Sequence, residues 1–298
     1  MKGLTLSRET KRIALGTANL NQEYGSKGRF TSLSVREAER IIELILTQDD
    51  CSIETSSEYG NAEILLGEMI KSVQFGRITT KISPKNLVKA ALIKASAYKS
   101  LENLGQDKIE SILLHGGIET FNRHKTEIEA GLTQLIDEGV VSRVGLSAYN
   151  EDEIKQAKNL FPFMKKFQIL ENIADQRVLH SVLLENLSSS DNFLQVRSIF
   201  LQGKLLFNEE EAKALFPELI SIVTRIGELS KQYGKSRSEI CLEYAKRILW
   251  ADELVVGVDS HQNFMEILKF VRVSPNHEID FGQGLNPAII DPRLWSRG

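Results

Sequence analysis

The chain has 298 residues, 42% hydrophobic and 26% charged, with 37 basic against 40 acidic side chains and a net charge of −3. This is the composition of an ordinary globular protein: it excludes fibrous and disordered chains, and the absence of any dense Lys/Arg stripe excludes a nucleic-acid or anionic-membrane binder. No Pro/Gly/Ser-rich linker divides the sequence, so one domain spanning residues 1–298 is expected, a length that suits a (β/α)8 barrel of ~250 residues with insertions.

Short apolar, β-branched runs alternate along the chain with segments of helical periodicity. In order, the strands are expected at Ile13–Leu15, Cys51–Thr55, Ile78–Lys81, Ile112–His115, Val144–Ser147, Phe167–Leu170, Val196–Leu201 and Leu254–Val258. The helices between them are expected at Ser34–Thr47, Ala62–Lys71, Asn86–Leu104, Glu119–Glu138, Glu151–Asn159 and Arg177–Leu187. The long gap from Gln202 to Leu254 holds Pro217–Tyr233 and Arg237–Trp250, one of them an extra helix. Strand-helix alternation means parallel strands joined by crossovers. Eight such units without a G-x-G-x-x-G after the first strand predict an α/β fold of the closed (β/α)8 TIM-barrel type rather than a doubly wound sheet.

Met1–Arg8 lacks the apolar core of a signal peptide, and no stretch approaches the ~18 apolar residues of a membrane span. Cys51 and Cys241 have neither disulfide-type nor metal-type spacing. A cytoplasmic protein with no metal and a small-molecule partner is expected. Gly234-Lys235-Ser236 imitates a phosphate loop, but Leu229 stands where the loop needs glycine; Asn186-Leu187-Ser188 is a sequon with no secretion to use it.

In a (β/α)8 barrel substrate specificity lies in loops, here expected at Asn19–Thr31, Gly116–Asn122, Phe207–Phe216 and the tail Ser274–Gly298 that carries Trp295, and chemistry gathers at the C-terminal ends of the strands. Those ends read Gly16-Thr17, Glu54-Thr55 with Tyr59 beyond, Lys81, His115, Ser147, Gln168, Arg197-Ser198, and Gly257 with Ser260. Ammonium, imidazole and phenol converging on one mouth form a proton-donating site.

The run Glu54-Thr55-Ser56-Ser57-Glu58-Tyr59-Gly60-Asn61 resembles the Asp-Thr-Ala-x-x-Tyr-Gly-Asn signature of the aldo-keto reductases, NAD(P)H-dependent (β/α)8 oxidoreductases. Ala14-Leu15-Gly16-Thr17-Ala18, Thr80-Lys81, Leu113-Leu114-His115 and Gly139–Ser147 resemble further family segments in the same order, a match running from Ile13 to Ile267. Asn172–Arg177 and Val196–Leu206 resemble a bacterial branch associated with sugar and surface-glycan metabolism.

The resemblance implies a catalytic tetrad of Glu54, Tyr59, Lys81 and His115, with Tyr59 donating a proton to a carbonyl oxygen, Lys81 stabilising the phenolate and His115 orienting the carbonyl. It implies cofactor contacts from Gly16, Thr17, Ser147 and Gln168 near the nicotinamide, with Arg197 beneath the ring. Ser198, Phe200, Gln202 and Gly203 are implied at the pyrophosphate, and Gly257, Ser260 and Asn263 at the adenosine end. NADP(H) is expected ahead of NAD(H), although Asp259 stands where a 2′-phosphate would bind and would repel it. Two further departures are Ala148 for an expected Asn and Glu54 for an expected Asp. The longer Glu54 is expected to overshoot Lys81 and weaken turnover, which keeps open a second reading, a nucleotide-binding sensor or regulatory protein on the same barrel.

Overall fold

The computed structural model describes residues 11–21, 32–70, 73–83, 89–115 and 117–290. In chain order the elements are β1 (Arg12–Gly16), α1 (Val35–Leu46), β2 (Cys51–Glu54), α2 (Ala62–Ile70), β3 (Ile78–Ile82), α3 (Ala90–Leu104), β4 (Ile109–His115), α4 (Ile118–Arg123), α5 (Lys125–Asp137) and β5 (Val141–Ser147). They continue with α6 (Glu151–Leu160), β6 (Lys166–Leu170), α7 (Val182–Ser188), β7 (Phe193–Arg197), α8 (Glu209–Leu215), α9 (Ile220–Tyr233), α10 (Arg237–Lys246), β8 (Glu253–Val256), α11 (His261–Val271) and α12 (Pro287–Ile290). The strands pair in parallel in sequence order, and β8 closes on β1 with Arg12 beside Glu253 and Leu15 beside Val256. This is the (β/α)8 barrel expected from the sequence.

Side chains alternate across each strand. Ile13, Leu15, Ile53, Ile78, Ile112, Leu114, Val144, Leu146, Phe167, Ile169, Leu194, Val196, Leu254 and Val256 belong to the hydrophobic core, packed with the apolar stripes of the helices. Ile41, Ile42 and Ile45 of α1 supply one such stripe, and Ser34 caps that helix by accepting from Glu37 N. The alternate strand positions point into the barrel and several of them are polar: Lys166 Nζ donates across the lumen from β6 to Thr79 Oγ1 on β3 (2.7 Å), and Gln168 Nε2 to Glu54 Oε1 on β2 (2.9 Å).

Several boundaries differ from the sequence reading: the helix expected at Arg177–Leu187 begins at Val182, and the one expected at Arg237–Trp250 ends at Lys246. The expected strand Val196–Leu201 is shifted to Phe193–Arg197, because Ser198 turns into the left-handed region (φ 62°) and its apolar successors bury themselves in a turn. The expected helix Glu119–Glu138 is two, α4 and α5, broken at His124 (φ −121°). Phe207–Phe216, read as a loop, contains α8, opened by a capping box in which Asn208 and Glu211 each accept the other's backbone N–H. Residues 22–31, Gly116 and 291–298, which include parts of the expected substrate loops and Trp295, lie outside the described residues. Among the described residues no helix is long and apolar enough to cross a membrane.

Candidate active site

A cavity of about 290 Å³ opens at the C-terminal ends of the strands and is lined by Gly16, Ala18, Asn19, Glu54, Tyr59, Lys81, His115, Tyr149, Gln168, Arg197 to Phe200, Gln202, Gly203, Val255 and Gly257. Lys81 is the penultimate residue of β3 and is buried. Its Nζ contacts Glu54 Oε1 and sits 4.6 Å from the centre of the Tyr59 ring. The Tyr59 phenol is carried by a tight turn after β2, in which Tyr59 N donates to Ser56 O (3.0 Å) and Ala62 N to Tyr59 O (3.0 Å). One Glu54 oxygen meets both the ammonium and the Gln168 amide.

Burial and then the Arg197 guanidinium push the Lys81 ammonium well below its usual range, while the Glu54 carboxylate lies in direct contact with it. An ammonium poised in this way can release or stabilise charge on a neighbouring phenol. His115, at the end of β4, lies with Nδ1 2.8 Å from Glu58 Oε2. The contact is electrostatic rather than a directed hydrogen bond, since Nδ1 is buried without a hydrogen-bond partner among the described residues. Burial and the Lys81 charge lower the His115 imidazole to about 4, outweighing Glu58, so it is neutral at pH 7.

Between pH 6.5 and about 4 the unfolded chain takes up a proton at position 115 that the folded chain refuses. Stability should therefore be full above the first value and fall as pH drops through the window, by on the order of 2 kcal/mol. His115→Gln should remove that share of the slope in urea melts at pH 7, 5.5 and 4.5; an unchanged slope would contradict the burial of a neutral imidazole here.

The far rim is a strained loop. Ser198, Leu201 and Gln202 have φ of 62°, 48° and 54°, followed by Gly203 at 81°. Left-handed conformations cost roughly 1 kcal/mol or more at non-glycine residues and persist only where neighbours enforce them. Here Asn172 Nδ2 donates to Ser198 O (3.1 Å), while Asn172 Oδ1 accepts from Ala174 N and Asp175 N. The Asn172–Arg177 segment thus acts as the scaffold of this loop. Arg197 spreads its guanidinium 4.9 Å from the Tyr149 ring centre and donates to Ala148 O (3.2 Å), and its Nε is buried without a hydrogen-bond partner among the described residues.

The expected cofactor residues divide. Gly16, Gln168, Arg197, Ser198, Phe200, Gln202, Gly203 and Gly257 line the cavity. Thr17 and Ser147 do not: Thr17 Oγ1 donates to Glu54 O (3.1 Å) and Ser147 Oγ to Gln168 Oε1 (2.6 Å). Ser260 and Asn263 are occupied at the start of α11, where Ser260 Oγ accepts from Asn263 N (3.3 Å) and Asp259 Oδ1 from Asn263 Nδ2 (3.2 Å). Sequence reasoning missed Tyr149 and Glu58. Each stands within three residues of a singled-out position, which was the only signal available.

The model of the aldo/keto reductase family matches residues 12–274, most of the chain and all eight strands. The chain belongs to the aldo/keto reductase family. No curated protein matches it. Solved structures of aldo/keto reductases share the fold: a putative member from Pseudomonas aeruginosa at 17% identity (TM-score 0.65, 88% of this chain and 90% of that one), and a member from Klebsiella pneumoniae in complex with NADP and acetate, also at 17% (TM-score 0.64, 91% and 93%). A glycerol dehydrogenase from Gluconobacter oxydans superposes with a TM-score of 0.69 at 15% identity, covering 92% and 93%. As an aldo/keto reductase the protein is an oxidoreductase of small carbonyl compounds.

Proposed function

We propose that this protein reduces an aldehyde or ketone on a small polar, sugar-derived molecule with a nicotinamide cofactor, using Tyr59 as proton donor. The observation that carries the reading is the position of the Lys81 ammonium, clasped by Glu54 and set over the Tyr59 ring. A phenol of pKa ~10 is a poor acid at neutral pH, and a cation at this distance favours the phenolate that proton donation leaves behind. Neutral His115, facing the same cavity, positions the carbonyl oxygen without competing for the proton.

The residues at the nicotinamide end fit such a cofactor. Arg197 offers a flat guanidinium whose Nε has no hydrogen-bond partner among the described residues, and the strained Ser198–Gly203 turn presents backbone groups to an anionic linker. When bound, the nicotinamide supplies a hydride to the carbonyl carbon. Residues of this chain do the rest: Tyr59 gives the proton, Lys81 and Glu54 hold it in readiness, and Val255 and Tyr149 wall the cavity.

The adenosine end supports NADH over NADPH, the reverse of the order expected from the resemblance. The N-terminus of α11 is already filled by a carboxylate, since His261 N donates to Glu37 Oε2 (2.7 Å), and that bond holds the Glu37 carboxyl below its usual range. Asp259 stands beside it, bonded to Ser260 and Asn263. A 2′-phosphate would meet two negative charges there. Fluorescence titration should show NADH binding at least about tenfold more tightly than NADPH, the equivalent of ~1.4 kcal/mol. Failure of both to bind at millimolar concentration would overturn the cofactor reading altogether.

A further inference from the structure

TIM-barrel interiors are ordinarily filled by layers of bulky branched side chains. The interior of this one carries a hydrogen-bonded column instead. At its base Glu253 is fully buried, and its carboxylate accepts from Ser52 Oγ (2.6 Å) and Gln195 Nε2 (2.6 Å), with Arg12 Nε at 3.3 Å and Lys166 Nζ at 3.5 Å. Gln195 Oε1 accepts from Gln168 Nε2 (2.6 Å), and the other hydrogen of Gln168 Nε2 goes to Glu54 Oε1 (2.9 Å). Ser147 Oγ closes the pattern on Gln168 Oε1 (2.6 Å).

The sense of every bond in this column follows from the charge at its base. A carboxylate only accepts, so Gln195 must turn its NH2 toward Glu253 and its carbonyl toward Gln168. Gln168 must then answer with its own NH2, which leaves the second hydrogen of that group aimed at Glu54. Buried amides have no water with which to exchange partners, and flipping either one would place two carbonyl oxygens or two NH2 groups face to face. An anion buried at the bottom of the barrel thus fixes a donor against the carboxylate that holds Lys81.

We propose that Gln195 and Glu253 are positioning residues of the proton-donating pair, acting through Gln168 to hold Glu54 against Lys81 and thereby to set the acidity of Tyr59. The inference rests on the assignment of Tyr59 as proton donor. Gln168 is in consequence a part of the acid machinery, its NH2 already committed within the protein.

The test is the titration of Tyr59 in the protein without cofactor, followed by NMR of ¹³Cζ-labelled tyrosine and assigned with Tyr59→Phe. Gln195→Met keeps the length of the side chain and removes both bonds; it should raise the Tyr59 pKa by about one unit and leave NADH affinity unchanged. The exchanged pair Gln195→Glu/Glu253→Gln keeps the buried charge and still offers Gln168 an acceptor, so it should restore the original titration. Should Gln195→Met fail to fold, Gln195→Asn, which withdraws the amide by one methylene, should give the same upward shift. A folded Gln195→Met or Gln195→Asn protein whose Tyr59 titrates as in the parent would overturn the proposal, as would an exchanged pair that fails to restore it. Because the titration needs neither cofactor nor turnover, the two failures are separate results: an absence of carbonyl reduction would count against the proposed function, and an unshifted titration against the coupling of Gln195 to Tyr59.

Discussion

Tyr59→Phe should lower carbonyl reduction by ~10²–10⁴-fold, the usual cost of removing a general acid, while the cofactor continues to bind. The ring stays, so its packing against the core and its place under the Lys81 ammonium stay with it. Only the proton is lost. The loss should appear in kcat and kcat/KM together, because the interaction removed is one made in the transition state. A Tyr59→Phe enzyme with full activity would pass the role to His115, whose imidazole at about 4 is a poorly matched donor at neutral pH.

The second large effect concerns the fold. Gly145→Ala would set a methyl group 1.5 Å from the Lys166 carbonyl oxygen, across the pairing of β5 with β6. No rotamer relieves that collision, since both partners are backbone. The strands must part, taking with them Lys166 and Gln168, which span the lumen to Thr79 and Glu54. The expected loss is roughly 4 kcal/mol or more, at the diagnostic end for a single substitution. Gly139→Ala in the preceding turn is the control: its φ is +73° and nothing lies within 4 Å, so only the conformational cost of about 1 kcal/mol applies. Paired urea melts of the two variants would distinguish them, and equal losses would contradict the close β5–β6 approach.

The strands were legible because their outward positions, such as Ile53, Val144 and Leu254, form apolar runs wherever a helix covers them. The mouth was legible because Lys81 and His115 end such runs, where polarity has no packing reason to occur. The lower interior was not. Ser52, Thr79, Lys166, Gln195 and Glu253 are each one polar residue in or beside an apolar stretch, and only closure of the barrel brings them together. The partner of Glu54 was also closed to sequence reasoning, since Gln168 lies four strands away. Asn208-x-x-Glu211, by contrast, is a capping box written openly in the chain, and it marks α8 within a stretch expected to be loop.

Transfer of the cofactor's own hydrogen tests the central claim most directly. With NADH deuterated on one face of nicotinamide C4 and an activated aromatic aldehyde as acceptor, the carbinol carbon of the product should carry the deuterium, from one face only. The Tyr59→Phe protein should bind the labelled cofactor and transfer almost none. Binding of the cofactor with no deuterium in the product of the parent protein, or deuterium exchanged with solvent before it arrives, would contradict hydride transfer at this mouth.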